Sequence, residues 1–323
     1  MASSAGPVSW PGSGATTAVA ADPGFRRLAT VTAAWVWLLI VVGGVVRVTG
    51  SGLGCPDWPL CYGQVLPPPE TTALIEFSHR LVAGVGGLLI LATAWLAWRR
   101  YRGRPWIVWP AVAMIVVLPL QFLLGAVVVL TELEPLSVAV HLGTALIIFA
   151  CALLVAVVAN RPAALDREAF PRRYPALLLV TLAALFVLLT TGAVVVGEGA
   201  SYACPDWPLC NGRALPAGDT PLPALLHMLH RYAVVAVGAL VLAVVWLALR
   251  ARRGLPLASR WALALGGLFL LQVGIGAVKI WSHLATVWRV AHLGVAAGVW
   301  AALVVLAALA LLQRRGAAPA GEA

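Results

Sequence analysis

Apolar residues in this chain fall in runs of about twenty, each broken by a short cluster of Arg, Pro, Gly or acidic residues. A run of that length spans the hydrocarbon core of a bilayer as a helix. The runs predict eight membrane helices, over roughly 28–47, 74–98, 106–130, 136–159, 175–197, 222–249, 261–281 and 286–312. The alternating pattern of a barrel strand is absent, and backbone groups in hydrocarbon must be satisfied within each isolated segment. The expected fold is therefore all-α and integral to the membrane.

Composition agrees. With 62% hydrophobic and 11% charged side chains, the chain has too few polar groups to cover a soluble globule. Its net charge of +10 would suit a nucleic-acid partner, but the charge is not spread over one face. Sixteen of the 22 basic residues cluster at alternate span boundaries: Arg26 and Arg27; Arg99, Arg100, Arg102 and Arg104; Arg161, Arg167, Arg172 and Arg173; Arg250, Arg252, Arg253 and Arg260; Arg314 and Arg315. That is the positive-inside pattern of a multi-pass membrane protein. It puts both termini in the cytoplasm and the loops near 48–73, 131–135, 198–221 and 282–285 outside, in what reads as a bacterial cell membrane. Residues 1–24 are small and polar and lack a basic n-region, so they read as a disordered cytoplasmic tail and not as a signal peptide. Residues 316–323 read as a second cytoplasmic tail.

The chain repeats itself. The string Cys-Pro-Asp-Trp-Pro-Leu-Cys occurs at Cys55 to Cys61 and again 149 residues later at Cys204 to Cys210. His-Arg pairs begin at His79 and His230, 151 residues apart. The same offset relates Gln121-Phe122-Leu123-Leu124-Gly125 to Gln272-Val273-Gly274-Ile275-Gly276, and His141-Leu142-Gly143 to His292-Leu293-Gly294. Two tandem pseudo-symmetric four-helix bundles follow, over 25–162 and 163–315. An even number of spans per copy gives both halves the same orientation, with a pseudo-symmetry axis along the membrane normal.

Intramembrane His is costly unless partnered and marks a functional site by default. Four of the six sit at matched positions: His79 and His141 in the first half, His230 and His292 in the second. Each lies about five to eight residues inside the outer end of its span, roughly 8–12 Å deep, so the two in each half can meet across a bundle. Two imidazoles facing each other amid apolar residues match the axial ligands of a haem iron; a tetrahedral metal site would usually want three or four clustered ligands. Hydrogen-bonding glue between helices is the plainer reading, and the duplication favours ligation over it. His283 is unmatched in the other half and reads as structural. Glu76 precedes His79 by one turn, whereas the aligned position before His230 is His227. A carboxylate beside one site and not its twin suggests different tasks. Glu76 either serves as a proton acceptor or charge stabiliser for a reacting group, or pairs with Arg80 or faces water. Cys55 with Cys61 and Cys204 with Cys210 read as disulfides in an oxidising compartment, each closing a small loop worth about 2 kcal/mol, with a redox-active role as the rival. Cys151 reads as a packing residue.

Together the two four-helix halves, the two Cys pairs, Glu76-Phe77-Ser78-His79-Arg80, His227-Met228-Leu229-His230-Arg231, and His141 and His292 on the fourth and eighth spans resemble bacterial haem A synthases of the type that carries both Cys pairs. The resemblance covers Arg26 to Arg315. It implies oxidation of the C8 methyl group of haem O to a formyl group, through hydroxylated intermediates and loss of water. It implies that His79 and His141 coordinate the substrate haem, that His230 and His292 hold a resident haem b through which electrons leave, and that Glu76 is the catalytic carboxylate. Arg80, His227 and Arg231 become candidate contacts for haem propionates. Arg47, Lys279 and Arg289 are further candidates to balance that charge, with a solvated face the plainer role. The partners implied are haem O, an electron acceptor, the protohaem farnesyltransferase that makes haem O, other cytochrome oxidase assembly factors, a second copy of the chain and the lipid bilayer, with no nucleic acid.

Two other classes fit part of the pattern. A di-haem b membrane cytochrome, carrying electrons between a quinone and an outer-side acceptor, explains the four His but less well Glu76 and the Cys loops. A thiol oxidoreductase explains the Cys loops but not the duplicated His.

Overall fold

The computed structural model of the chain describes residues 21–161, 165 and 170–316; the expected tails, apart from 21–24 and Gly316, lie outside them. Eight helices, each long and apolar enough to cross a membrane, account for almost all of this: α1 Pro23–Val48, α2 Thr71–Arg100, α3 Pro105–Leu130, α4 Pro135–Ala159, α5 Tyr174–Gly197, α6 Leu222–Arg250, α7 Pro256–Trp281 and α8 Thr286–Gly316. No strand occurs among the described residues. The protein is an all-α multi-pass membrane protein.

Most helices start earlier than their apolar run, because first turns carry polar or Pro residues that a hydropathy pattern passes over. Proline is tolerated in a first turn, where its missing N–H would have had no intrahelical acceptor. Six of the eight helices have one there. The Asp22 carboxylate caps α1 by accepting from the Phe25 amide at 3.0 Å, so this helix begins inside the stretch that composition assigns to a tail. Glu134 caps α4 in the same way, accepting from Leu136 and Ser137 at 3.0 and 2.6 Å.

Within each half, helices pack against their sequence neighbours and the first closes on the fourth: α1 on α2 and α4, α5 on α6 and α8. The halves meet where α1 packs on α8 and α5 on α4, with α4 against α8 between them. These are matched pairs, as a twofold-like relation between the copies requires. Close approach uses small residues, as expected where both lipid and partner are apolar: a Cβ at Gly44 would overlap Leu293 of α8, at 2.6 Å. Helix α8 is buried along 78% of its apolar stretch and α3 along 17%, so α8 is the central post and α3 faces lipid. Tryptophan N–H groups tie the centre together, Trp37 donating to the Gly294 carbonyl and Trp300 to that of Leu146, both at 3.1 Å.

At the helix ends beside the Cys loops the repeat is visible in backbone conformation. The α3–α4 turn holds Glu132 and Leu133 at positive φ, and the α7–α8 turn holds His283 and Leu284 in the same way. The two Cys loops cover the bundle mouths, each preceded by a short 3₁₀ turn, Ser51–Leu53 and Ala200–Tyr202.

Candidate functional site

One cavity of about 570 Å³ lies towards the Cys-loop end of the molecule and reaches into both bundles, within the roughly 300–1,000 Å³ usual for ligand sites. It is lined by all four matched histidines, Glu76, Arg80, His227, and the rim cations Arg47, Lys279 and Arg289. His79 and His230 lie eight residues into α2 and α6, and His141 and His292 six residues into α4 and α8. At about 1.5 Å per residue the members of each pair sit within one turn of the same depth.

Each imidazole backs onto a glycine of the neighbouring helix. A Cβ built on Gly43 of α1 would lie 3.3 Å from Cε1 of His79; the corresponding distances are 3.5 Å for Gly125 and His141, 3.1 Å for Gly192 and His230, and 3.3 Å for Gly276 and His292. The missing side chain is what lets each ring lie flat against the helix behind it. A glutamine flanks the fourth-helix ring in each half. Nε2 of Gln121 is 3.3 Å from Nε2 of His141 and also donates to the His141 carbonyl at 3.2 Å, while Nε2 of Gln272 is 3.1 Å from Nδ1 of His292.

Nitrogens suited to a ligand are present. The Nδ1 atoms of His79, His141 and His230 and the Oε1 atom of Gln272 are buried without a protein partner. The two ends of the Gln272 amide are alike in shape, and exchanging them sets Oε1 to accept from His292 Nδ1–H, leaving Nε2 free as a metal ligand. No group of three or more His, Cys, Asp or Glu that could hold a metal ion occurs among the described residues. Two imidazoles in each half, lining a largely apolar cavity, fit a flat macrocycle that brings four nitrogens of its own.

Glu76 is buried at 6% exposure and accepts from Nε of Arg80 at 3.1 Å, the pairing that the sequence offers as one of its plainer roles. His227, also 6% exposed, has Nδ1 3.0 Å from the Ala200 carbonyl oxygen. Arg80 and Arg231 turn towards the Cys loops: Arg80 donates to the carbonyls of Cys55, Asp57, Pro59 and Leu60, and Arg231 to those of Asp206, Pro208 and Leu209. Both Cys pairs are disulfides, Cys55–Cys61 and Cys204–Cys210. In each loop an Asp carboxylate gathers two amides: Asp57 accepts from Tyr62 and Gly63 at 2.6 and 2.7 Å, and Asp206 from Asn211 and Gly212 at 2.6 and 2.8 Å. These bonds, led by those from Gly63 and Gly212, hold both carboxyls below their ordinary range. Both glycines have φ near +70°, as so tight a turn demands.

The profile of the COX15-CtaA family, described as cytochrome oxidase assembly protein, matches residues 26–304. The chain belongs to that family. Relatives named heme A synthase include one from Shouchella clausii, 37% identical over 68% of this chain and 74% of the relative. Others come from Geobacillus kaustophilus, 33% identical over 88% of this chain and 91% of the relative, and from Symbiobacterium thermophilum, 34% identical over 88% and 95%.

In this COX15-CtaA chain the sequence pattern marks the four His, Glu76 and the Cys loops, and the fold gathers all of them at one end. Gly43 and Gly192 escape it. They share the 149-residue offset of the Cys strings, which flags them as a matched pair, yet nothing in the sequence says that each faces an imidazole. Gln121 and Gln272 stand out in the repeat alignment, but their contact with His141 and His292 needs the packing of α3 on α4 and α7 on α8.

Proposed function

We propose that the protein is a haem A synthase, an oxidoreductase that converts the C8 methyl group of haem O to a formyl group through hydroxylated intermediates. The single observation that carries this is the inequality of two otherwise equal sites: two His pairs with matched glycine and glutamine neighbours, and a buried carboxylate, Glu76, beside only one of them. His79 and His141 hold the substrate haem in the first bundle. His230 and His292 hold a resident haem b in the second. When bound, that group supplies a one-electron path away from the substrate site.

The residues around it fix position and charge. Gly43, Gly125, Gly192 and Gly276 let the imidazoles back against helices, and Gln272 orients the ring of His292. Glu76 lies one turn outward of His79, where a carboxylate stabilises positive charge developing on a substrate carbon or accepts the proton of an attacking water. Arg47, Lys279 and Arg289 line the outer rim of the cavity and suit carboxylates on the edge of a porphyrin. Apolar residues such as Leu118, Phe122 and Phe269 line the rest of the cavity and suit an isoprenoid tail. The basic clusters between α2 and α3 and between α6 and α7 support an orientation with the Cys loops on the outer side and both termini in the cytoplasm. Domain limits of 25–162 and 163–315 follow.

The test is to express the chain with a haem O supply and separate the extracted pigments by chromatography. Haem A or its hydroxylated precursor is expected. Glu76→Gln should retain haem b and lose haem A formation by about 10²-fold or more. Two unmodified b haems per chain and no oxidised product would overturn the reading in favour of a di-haem electron carrier.

A further inference from the structure

Each Cys loop holds the arginine that follows a ligand histidine. In the first copy, Nη1 and Nη2 of Arg80 donate to the carbonyls of Asp57, Pro59, Leu60 and Cys55, at 3.1, 3.4, 2.7 and 3.1 Å. The loop also has a framework of its own. The Cys55–Cys61 disulfide closes it, the Asp57 carboxylate gathers the amides of Tyr62 and Gly63, and Cys61 and Gln64 exchange backbone hydrogen bonds at 2.9 and 3.1 Å. A guanidinium is a planar fork with fixed donor directions. Once its two terminal nitrogens are bound by the loop, the direction of Nε is set. Nε donates to Oε1 of Glu76 at 3.1 Å, and Arg80 is the only hydrogen-bond partner of that carboxylate among the described residues.

The second copy is an internal control. Its loop grips Arg231 in the same way, through Asp206, Pro208 and Leu209, but the residue one turn before the arginine is His227, whose Nε2 lies 3.4 Å from Nη2 of Arg231. Loop and arginine stay the same while the group they steer differs.

We infer that Arg80 is a positioning residue, which carries the fold of the Cys55–Cys61 loop inward to the Glu76 carboxylate and so fixes where Glu76 stands beside His79 and His141. This rests on the reading that Glu76 acts on the substrate. It gives the disulfide a task in turnover without any redox change of its own.

Arg80→Lys separates position from charge: the cation remains beside Glu76, but the fork that spans loop and carboxylate is gone. With full-length protein supplied with haem O, the variant should slow haem A formation by about 10²-fold, the usual cost of a misplacement near 1 Å. The limb of the pH–rate profile that Glu76→Gln abolishes should also move. Haem b in the second site, read from its spectrum, should stay at the wild-type level. In the Glu76→Gln background Arg80→Lys should cost nothing further, because its effect runs through the carboxylate. Cys55→Ser with Cys61→Ser should act in the same direction by loosening the loop, and it carries the test if Arg80→Lys folds poorly. Wild-type rate and pH profile in Arg80→Lys, or an equal further loss in the Glu76→Gln background, would overturn the inference alone. If both loop and arginine variants lost second-site haem b, Arg80 would be a folding residue and the inference would fall. Wild-type protein that made no haem A would instead remove the functional reading, and this inference with it.

Discussion

The glycine behind each imidazole gives a graded prediction. A Cβ at position 192 would stand 3.1 Å from Cε1 of His230, and one at position 276 would stand 3.3 Å from Cε1 of His292. Carbon atoms rest at about 3.5–4.0 Å, so Gly192→Ala asks the ring to retreat by roughly half an ångström, and Gly276→Ala by less. Gly192→Val adds two methyl groups beyond that Cβ and forces the ring out of its place. Overpacking of this kind costs about 1–3 kcal/mol, equivalent to about 5- to 150-fold in an equilibrium constant. Titrating haem into apoprotein, with the low-spin bis-imidazole signal as the readout, should therefore rank second-site affinity as wild type, Gly276→Ala, Gly192→Ala and Gly192→Val in falling order. Gly125→Ala places its Cβ at an ordinary 3.5 Å from His141, in the other bundle, and should leave second-site binding unchanged. Wild-type affinity in Gly192→Val, or a loss in Gly125→Ala as large as in Gly192→Val, would refute the claim that these glycines seat the ligand rings.

Trp207 of the second loop meets Trp281 edge-on with ring centroids 5.8 Å apart, while the position in the first copy that matches Trp281 is Leu130, 69% exposed. Such an aromatic contact is worth about 0.5–1.5 kcal/mol, so, if it holds the second Cys loop over the bundle mouth, Trp281→Ala should speed transfer of second-site haem to an apomyoglobin acceptor by about 2- to 12-fold; an unchanged rate would show that the contact does not hold the loop in place. The Asp57 carboxyl is held below its ordinary value of 3.8, first by the Gly63 amide. A lowered folded value means that its contribution to the loop is intact above that ordinary value and lost as pH falls through the lowered one. Hydrogen-exchange protection at Tyr62 and Gly63, corrected for intrinsic rates, should thus hold steady from about pH 8 to about pH 5 and fall only in stronger acid; a loss near neutrality would contradict it, and Asp57→Asn should lower protection between about pH 5 and about pH 8 and converge with wild type in stronger acid.

Much of the architecture is legible in the sequence because the bilayer leaves few choices: an apolar run of twenty residues becomes a helix, and basic clusters at alternate ends orient it. The histidines are legible for the same reason, since an imidazole in hydrocarbon needs a partner. Helix ends are less so. The start of α1 at Pro23 follows from Asp22 as a cap and Pro in the first turn, a signal of local hydrogen bonding that hydropathy does not register. The direction of Arg80 is a different kind of gap. Its place one residue after His79 puts it about 100° round the helix, but whether it meets a ligand or the loop depends on where residues 55–60 fold back, which no helical periodicity encodes.

The positions that changed between the two copies are more informative than those that did not. Matched histidines, glycines, glutamines and Cys loops make two equivalent frames. Against that background Arg47, Lys279 and Arg289 stand opposite Val196, Val128 and Val138, so the frame itself does not need a cation at any of the three. All three line the shared cavity; Arg47 interacts electrostatically with Arg289, and Lys279 with Arg231 and Arg289. None of them pairs with a carboxylate among the described residues. Like charges gathered in a partly buried site without a counter-ion are unfavourable unless an anion offsets them. The arrangement therefore favours an occupant that brings its own negative groups to the outer rim, as a porphyrin with carboxylates on one edge does. Lys279 lines the same cavity as His230 and His292, and its counterpart in the first copy is Val128, while the carboxylate Glu76 stands one turn from His79. On the proposed function, the charged positions that differ between the two frames suit one to retention of its haem and the other to reaction.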